Sequence, residues 1–194
     1  MVKCIFDKVD IADALRYAGV RAPDPATEGM ARDCLRELAG CAMPRSVWRR
    51  LAFESRADGV YIPERGVFFP GDDLKRVLGG CAALALFCAT LGAEVDALIR
   101  REQYRDMARA VVIDACASAA VEVLCDEVEA EIASACGGAA LTPRFSPGYG
   151  DLPLEANASA LDLLDAAKTA GVHVTPGGLL VPMKSVVGVV GQSR

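Results

Sequence analysis

The chain has 194 residues, 53% of them hydrophobic, and a formal net charge of -5. That length allows one domain with a sizeable core, so we predict a single domain over residues 1–194, with residues 1–44 as a helical subregion. The acidic balance argues against a nucleic-acid partner, and no run approaches the ~20 apolar residues of a membrane span. The start of the chain, Met1 to Asp7, meets charge too soon to serve as a secretory signal, so we predict a cytoplasmic protein.

Helix signals fill the first 44 residues. Asp10 can cap a short helix that Gly19 ends, because an aspartate oxygen accepts from free N–H groups and glycine tolerates the left-handed end. Asp24-Pro25 starts a second helix, which Pro44 closes. The proline-rich stretch at residues 21–25 is the candidate hinge between a helical N-terminal part and the rest of the chain.

Strand signals follow. Three runs rich in valine and aromatic residues are separated by Asp-Gly and Arg-Gly turns, and they cover residues 47–51, 60–62 and 67–69. Asp72 or Asp73 then caps a short helix. The apolar run from Cys81 to Cys88 fits a buried strand or a buried helix, and its periodicity leaves both open.

The pattern from Ala93 to Cys136 is helical, with a break near Glu102–Arg105 and an end at Gly137-Gly138. Its second half is rich in alanine, which favours a tightly packed core helix, although a ligand-facing helix is the alternative. The acidic string of Asp126, Glu127, Glu129 and Glu131 is interpreted as a solvated face.

An amphipathic helix is predicted from Leu154 to Lys168, with Leu161, Leu164 and Ala167 inward, and Gly171 ends it. Short strands at 172–174 and 185–190 complete the chain. Helices and strands therefore alternate irregularly, which predicts an α+β fold with a mainly antiparallel mixed sheet flanked by helices.

The cysteines argue against a metal centre. They stand at positions 4, 34, 41, 81, 88, 116, 125 and 136, and no two form a C-x-x-C pair. Cys34 and Cys41 are seven residues apart, as are Cys81 and Cys88, and both pairs lie among alanine and leucine, so we interpret these four as small buried hydrophobic residues. A disulfide framework is not expected in a cytosolic chain. The single histidine, His173, makes no metal site and is predicted to be a structural or pocket-edge residue.

The turn at residues 144–154, RFSPGYGDLPL, is the most informative stretch. Arg144 offers a planar fork of donors that a carboxylate can meet bidentately. Gly148 lets a ligand approach the backbone, and Pro147 limits how the turn flexes. These residue types fit an ordinary surface turn equally well, because proline and glycine dominate turns.

Residues 144–149 resemble the arginine-x-x-x-glycine-tyrosine signature of the activation domain of cobalamin-dependent methionine synthase, which binds S-adenosylmethionine (AdoMet). The likeness extends to Val181-Pro182-Met183-Lys184-Ser185 and the glycine at 188, and upstream to residues 89–96. The resemblance implies an α+β fold. It also implies that the protein takes part in the reductive activation of a corrinoid, in methionine biosynthesis or in a related methyl transfer.

The resemblance also implies roles for particular residues. Arg144 would hold the AdoMet carboxylate, and the backbone near Phe145 and Ser146 would meet its polar edges. Gly148 would permit close approach, and Tyr149 would be the catalytic residue, facing the methyl group and the corrin plane. The family's amine-binding glutamate corresponds by position to Ser118, and we assign Glu122, one turn later, to the amine. Lys184 and Ser185 would support the site wall.

The implied reaction has cob(II)alamin take one electron and then accept a methyl group from AdoMet. This transfer moves no proton, so the protein would supply orientation and electrostatics. The resemblance implies that a separate methyltransferase or corrinoid protein supplies the cobalamin, and that a donor such as a flavodoxin or ferredoxin supplies the electron.

Two other functions compete with an AdoMet-dependent activator. One is a non-catalytic module that docks on a corrinoid protein and regulates it. The other is an unrelated small-metabolite or phosphate-binding enzyme that uses the glycine-containing turn, although one such turn is a weak signal.

Overall fold

A computed structural model describes residues 2–193, and for residues 2–4 it describes the backbone only. Its helices and antiparallel sheets confirm the predicted α+β class. Two compact units interleave along the sequence. The helical unit comprises the chain up to Arg45, Thr90–Asp126 and Pro182–Ser185, and the sheet unit comprises Ser46–Ala89, Glu127–Val181 and the chain from Val186. The single domain over residues 1–194 stays a prediction.

The elements are numbered in chain order. The helices are α1 (Val2–Asp7), α2 (Ile11–Tyr17), α3 (Pro25–Cys41), α4 (Asp72–Val77), α5 (Ala93–Arg105), α6 (Met107–Ala135), α7 (Ala156–Leu164) and α8 (Ala166–Thr169). The strands are β1 (Arg45–Leu51), β2 (Glu54–Arg56), β3 (Gly59–Ile62), β4 (Val67–Pro70), β5 (Cys81–Thr90), β6 (His173–Val174), β7 (Leu180–Val181) and β8 (Ser185–Ser193).

In the helical unit, α1 and α2 both pack against α3, and α3 packs against α5. The predicted caps are confirmed: Asp10 Oδ1 accepts from the N–H of Ala12 at 2.7 Å, and Asp24 Oδ1 accepts from Thr27 at 2.7 Å. Each carboxylate satisfies a backbone donor that the first helical turn leaves free. Local sequence therefore sets where these helices begin.

The break between α5 and α6 lies at Asp106, one residue beyond the predicted interval. Just before it, the carboxylate of Glu102 is buried and lies within 3.4 Å of the guanidinium groups of Arg101 and Arg109. Arg109 also pairs with Glu37 at 2.7 Å. A buried carboxylate requires such partners, and this network holds α3 to the α5–α6 junction.

Within the described residues, the sheet unit contains three small sheets. Strands β2, β3 and β4 form an antiparallel meander, β6 and β7 form an antiparallel hairpin, and the third sheet has the order β1-β5-β8. The run from Cys81 to Cys88, which the sequence left undecided, is therefore the central strand β5. Its residues from Ala83 onward are buried, which explains why it shows no alternation of polar and apolar side chains.

The predicted helix from Leu154 to Lys168 is divided into α7 and α8. Asp165 separates them with a left-handed backbone (φ 51°), and Arg49 donates to its carboxylate at 2.9 Å. The break shifts the helical register, so Ala166 is buried and Ala167 is exposed. The prediction that Ala167 points inward was therefore wrong.

The cysteines from Cys34 onward are free thiols, and Cys34, Cys88, Cys116 and Cys125 are buried. Cys41 and Cys81 are only partly buried, because they lie at the end of α3 and at the start of β5, so the prediction of burial was wrong for these two. Burial raises the pKa of the Cys34 thiol to about 11, and burial raises the pKa values of Cys88 and Cys116 to about 12. These side chains therefore remain neutral at physiological pH and pack as small hydrophobic groups. Cys4 lies among the residues whose side chains are outside the described part.

Candidate functional site

The segment that leads into the signature turn is attached to β8. Leu141 and Phe145 form isolated antiparallel bridges with Gln192 and Val189. The Phe145 N–H donates to the Val189 carbonyl at 2.9 Å, and the Val189 N–H donates back at 2.8 Å. Arg144 directly precedes Phe145, which these two hydrogen bonds join to Val189. Pairing with β8 therefore fixes the backbone of Arg144.

Backbone hydrogen bonds close the turn itself. The N–H of Tyr149 donates to the Ser146 carbonyl at 3.1 Å, and that of Leu152 donates to the Tyr149 carbonyl at 3.1 Å. The N–H of Gly148 donates to the Leu152 carbonyl at 2.9 Å, and Gly148 has φ 92°, which favours glycine. The turn is therefore a defined structure that exposes residues 148–150.

The aliphatic part of Arg144 lies over β8 at Gly188. A Cβ at position 188 would stand 3.1 Å from Arg144 Cδ, so the glycine makes room for the arginine stem. The guanidinium Nη1 lies 3.0 Å from Glu129 Oε1, and the two side chains are 19% and 24% exposed. A ligand carboxylate at Arg144 would therefore join or displace Glu129.

This ion pair corrects one interpretation of the sequence. Glu129 belongs to the acidic string that we assigned to a solvated face, yet its carboxylate contacts Arg144. Glu131, in the same string, accepts from the indole N–H of Trp48 at 2.9 Å. The helical spacing alone could not identify these partners, because Trp48 and Arg144 both lie outside α6.

Tyr149 presents its ring at the surface, with 62% of the residue exposed. Its ring meets that of Phe145 edge to face, with centroids 6.5 Å apart and planes inclined by 60°. That geometry is favourable for an aromatic pair. Phe145 thus supports Tyr149 from one side and leaves the remaining surface of the phenol ring accessible to a flat ligand.

The remaining predicted site residues belong to the helical unit. Lys184 Nζ donates to Ser118 Oγ at 2.8 Å and pairs with Asp114 Oδ1 at 2.9 Å, and the lysine side chain is 12% exposed. Ser118 also donates to the Asp114 carbonyl at 3.1 Å. Ser118, which the sequence resemblance aligns with an amine-binding glutamate, thus accepts a hydrogen bond from the ammonium group of Lys184.

Ser185 and its neighbours are also fastened within the helical unit. Ser185 Oγ donates to Thr90 Oγ1 at 2.7 Å, and the N–H of Leu91 donates to the Lys184 carbonyl at 3.0 Å. The Met183 N–H donates to the buried Asp96 carboxylate at 2.7 Å. These contacts fix the segment that carries Lys184 and Ser185.

A cleft of about 240 Å³ in the helical unit is lined in part by Tyr17, Met107, Asp114 and Ser118. Glu122, to which we assigned the AdoMet amine, lies one turn further along α6. Asp114 was missed in the sequence, although its position four residues before Ser118 places it on the same helix face. The structure thus groups the predicted residues in two sets, one in each unit.

Among the described side chains, those of residues 5–193, no group of three or more His, Cys, Asp or Glu could hold a metal ion. None of the helices within residues 2–193 is both long enough and apolar enough to cross a bilayer. His173 is exposed and lines a cleft of about 450 Å³ beside α7 and α8, in keeping with its prediction as a pocket-edge residue.

No family model matches the sequence, and no curated protein matches it. Among solved structures, the chain matches the crystal structure of the MetH reactivation domain bound to AdoHcy with a TM-score of 0.75 and 17% sequence identity. The match covers 98% of this chain and 75% of that one. The chain therefore resembles the MetH reactivation domain and has its fold, as the sequence resemblance implied.

Proposed function

We propose that this protein binds AdoMet and uses it in the reductive activation of a corrinoid carried by a separate methyltransferase or corrinoid protein. One observation carries the proposal: a chain with the fold of a domain solved with AdoHcy presents an ordered turn with Arg144 at its start and an exposed Tyr149. AdoHcy is AdoMet without the methyl group on sulfur, so it represents the ligand after transfer.

In the proposed reaction, an external donor such as a flavodoxin or ferredoxin supplies one electron to cob(II)alamin, and the methyl group of AdoMet passes to the resulting cob(I)alamin, leaving AdoHcy. The residues of this chain would bind AdoMet and orient it for the transfer. Arg144 would hold the AdoMet carboxylate through charge-assisted hydrogen bonds, and Gly148 would admit the ligand to the backbone of Phe145 and Ser146. Tyr149 would offer a flat apolar face to the corrin plane.

The other predicted residues have supporting roles in this proposal. Glu122 would meet the AdoMet amine, while Ser118, Lys184 and Ser185 would form a wall. No proton moves in the methyl transfer, so the protein needs no general acid or base. It would contribute by positioning AdoMet and by the arrangement of charges around it.

The internal ion pairs favour a second candidate function, a non-catalytic module that docks on a corrinoid protein and regulates it. Arg144 forms an ion pair with Glu129, and Ser118 accepts a hydrogen bond from Lys184. In this function both groups keep their internal partners, and AdoMet is not bound tightly.

Calorimetric titration with AdoMet separates the two candidates. We expect saturable binding by the wild type, and Arg144→Ala should weaken it by roughly ten- to a hundredfold, because a hydrogen bond to a charged group contributes about 1.5–3 kcal/mol. Arg56→Ala is the matched control, since Arg56 belongs to the same unit and pairs at the surface with Glu54. Equal heats for Arg144→Ala and wild type would refute the assigned pocket.

Absorbance spectra then test the reaction. We expect the cob(II)alamin band of a corrinoid protein, mixed with this chain and a reductant, to disappear when AdoMet is added and AdoHcy to accumulate in equal amount. A band that AdoMet leaves unchanged would contradict activation and support the regulatory module.

A further inference from the structure

The start of α4 is capped from a distant part of the chain. We predicted that Asp72 or Asp73 caps this helix, and that prediction was wrong, because the residue at the cap position is Gly71 and has no side chain to do so. Instead, the N–H groups of Asp72 and Asp73 donate to Asp151 Oδ2 at 2.6 Å and Oδ1 at 3.1 Å. One carboxylate thus satisfies two donors of the first helical turn.

Glycines on both sides allow this close approach. A Cβ at Gly71 would stand 2.7 Å from Asp151 Cγ, and a Cβ at Gly150 would stand 3.0 Å from Asp73 Cγ, with carboxylate oxygens nearer still. Both glycines also have positive φ, 113° and 53°. A Cβ at Gly71 would displace the Asp151 carboxylate from the start of α4, and a Cβ at Gly150 would displace the carboxylate of Asp73.

The Asp151 carboxylate is held in its charged form. The N–H of Asp72 is the main cause that lowers the pKa of Asp151, and the N–H of Asp73 and the positive charge of Arg76 act in the same direction. An ionised carboxylate accepts both N–H groups at once and is attracted to the positive end of the helix.

Asp151 stands within the hydrogen-bonded part of the signature turn, between Gly148 and Leu152, whose backbones are joined at 2.9 Å. We propose that Asp151 is a positioning residue that fastens the turn to α4 and so keeps Arg144 and Tyr149 in the arrangement that binds AdoMet. This inference rests on the proposed function. It adds a determinant that lies outside the arginine-to-tyrosine signature.

The first test needs no ligand. Amide hydrogen exchange at residue resolution is compared for wild type, Asp151→Ala and Asp24→Ala, which removes a helix cap of the same chemistry from α3. We expect Asp151→Ala to speed exchange at Asp72 and Asp73 and also at Gly148 and Leu152. If the turn amides keep their protection while the α4 amides lose theirs, Asp151 merely caps the helix and the proposal is overturned.

The second test measures AdoMet affinity. We expect Asp151→Ala to bind about tenfold more weakly, because two charge-assisted hydrogen bonds that hold the turn are lost. Asp151→Asn keeps one acceptor oxygen and should restore part of the affinity, whereas Asp24→Ala should bind like the wild type. A variant Asp151→Ala that unfolds at lower temperature but binds AdoMet like the wild type would overturn the proposal.

The two tests separate this inference from the proposed function. If the wild type binds no AdoMet, the proposed function fails, whereas the exchange experiment still decides whether Asp151 orders the turn. Should Asp151→Ala not fold, the exchange measurement is made on Asp151→Asn, in which one of the two α4 amides and the turn amides should lose protection. Wild-type protection throughout the turn in that variant would refute the role.

Discussion

Replacing Gly188 with alanine should destabilise the sheet unit. The new Cβ would stand 2.5 Å from Cε1 of Phe87 and 3.1 Å from Cδ of Arg144. Phe87 is fully buried in the middle of β5, so its ring cannot move into solvent. The added methyl group must therefore displace a packed ring, the backbone of β8, or both.

The expected cost follows from this overpacking. An extra methyl in a well-packed core costs about 1–3 kcal/mol. In a chain of this size, each kcal/mol corresponds to roughly 2–4 °C in the unfolding midpoint, so a loss of about 2 kcal/mol lowers the midpoint by about 4–8 °C. The methyl group also meets the stem of Arg144, so Gly188→Ala should weaken AdoMet binding in the calorimetric assay.

Circular dichroism during heating and urea titration would measure the change. Gly29→Ala is the matched control: Gly29 lies inside α3, and a Cβ there meets nothing within 4 Å. That variant should gain about 0.5–1 kcal/mol, because alanine is the better helix former. If Gly188→Ala unfolds at the wild-type midpoint, the close contact among Gly188, Phe87 and Arg144 is refuted.

Three further predictions concern stability and reactivity. Asp165→Gly and Asp165→Ala both lose the ion pair with Arg49, but only alanine is strained in the left-handed backbone conformation. In urea titration the glycine variant should therefore be more stable than the alanine variant by about 1–2 kcal/mol. Equal stabilities would argue against the left-handed conformation at residue 165. At pH 8, iodoacetamide followed by peptide mass spectrometry should leave Cys34, Cys88 and Cys116 unmodified until urea is added, because their raised pKa values keep them as buried thiols. Because the folded pKa values lie above the unfolded value, the contribution of these thiols to stability should be complete below about pH 9 and should fall as the pH rises toward about 11 for Cys34 and about 12 for Cys88 and Cys116. Rapid labelling of native Cys88 would contradict this.

Sequence signals predicted the elements that local chemistry determines. Asp10 and Asp24 mark helix starts because the cap and the amides it serves lie within three residues. The run from Cys81 to Cys88 remained open because a strand buried on both faces carries no alternation, and its neighbours β1 and β8 decide its conformation. The α+β class followed from the order of the elements and from the family resemblance.

Contacts between distant residues could not be predicted in the same way. Glu129 looked like one member of a solvated acidic string, and its partner Arg144 follows only after α6 has ended. Asp151 appeared as an ordinary turn residue, although it caps α4. The division of α7 from α8 depends on Asp165, whose left-handed backbone has no sequence signal comparable to a glycine.

The pairing of Phe145 with Val189 has a consequence for biosynthesis. The ribosome synthesises the chain from the N-terminus to the C-terminus. Arg144 and Tyr149 therefore leave the exit tunnel before β8 does. The backbone beside them lacks its hydrogen-bond partner until Val189 has emerged. Pairing with Val189 also closes a long loop, which has an entropic cost. We therefore expect the turn to be among the last parts of the protein to become ordered during synthesis.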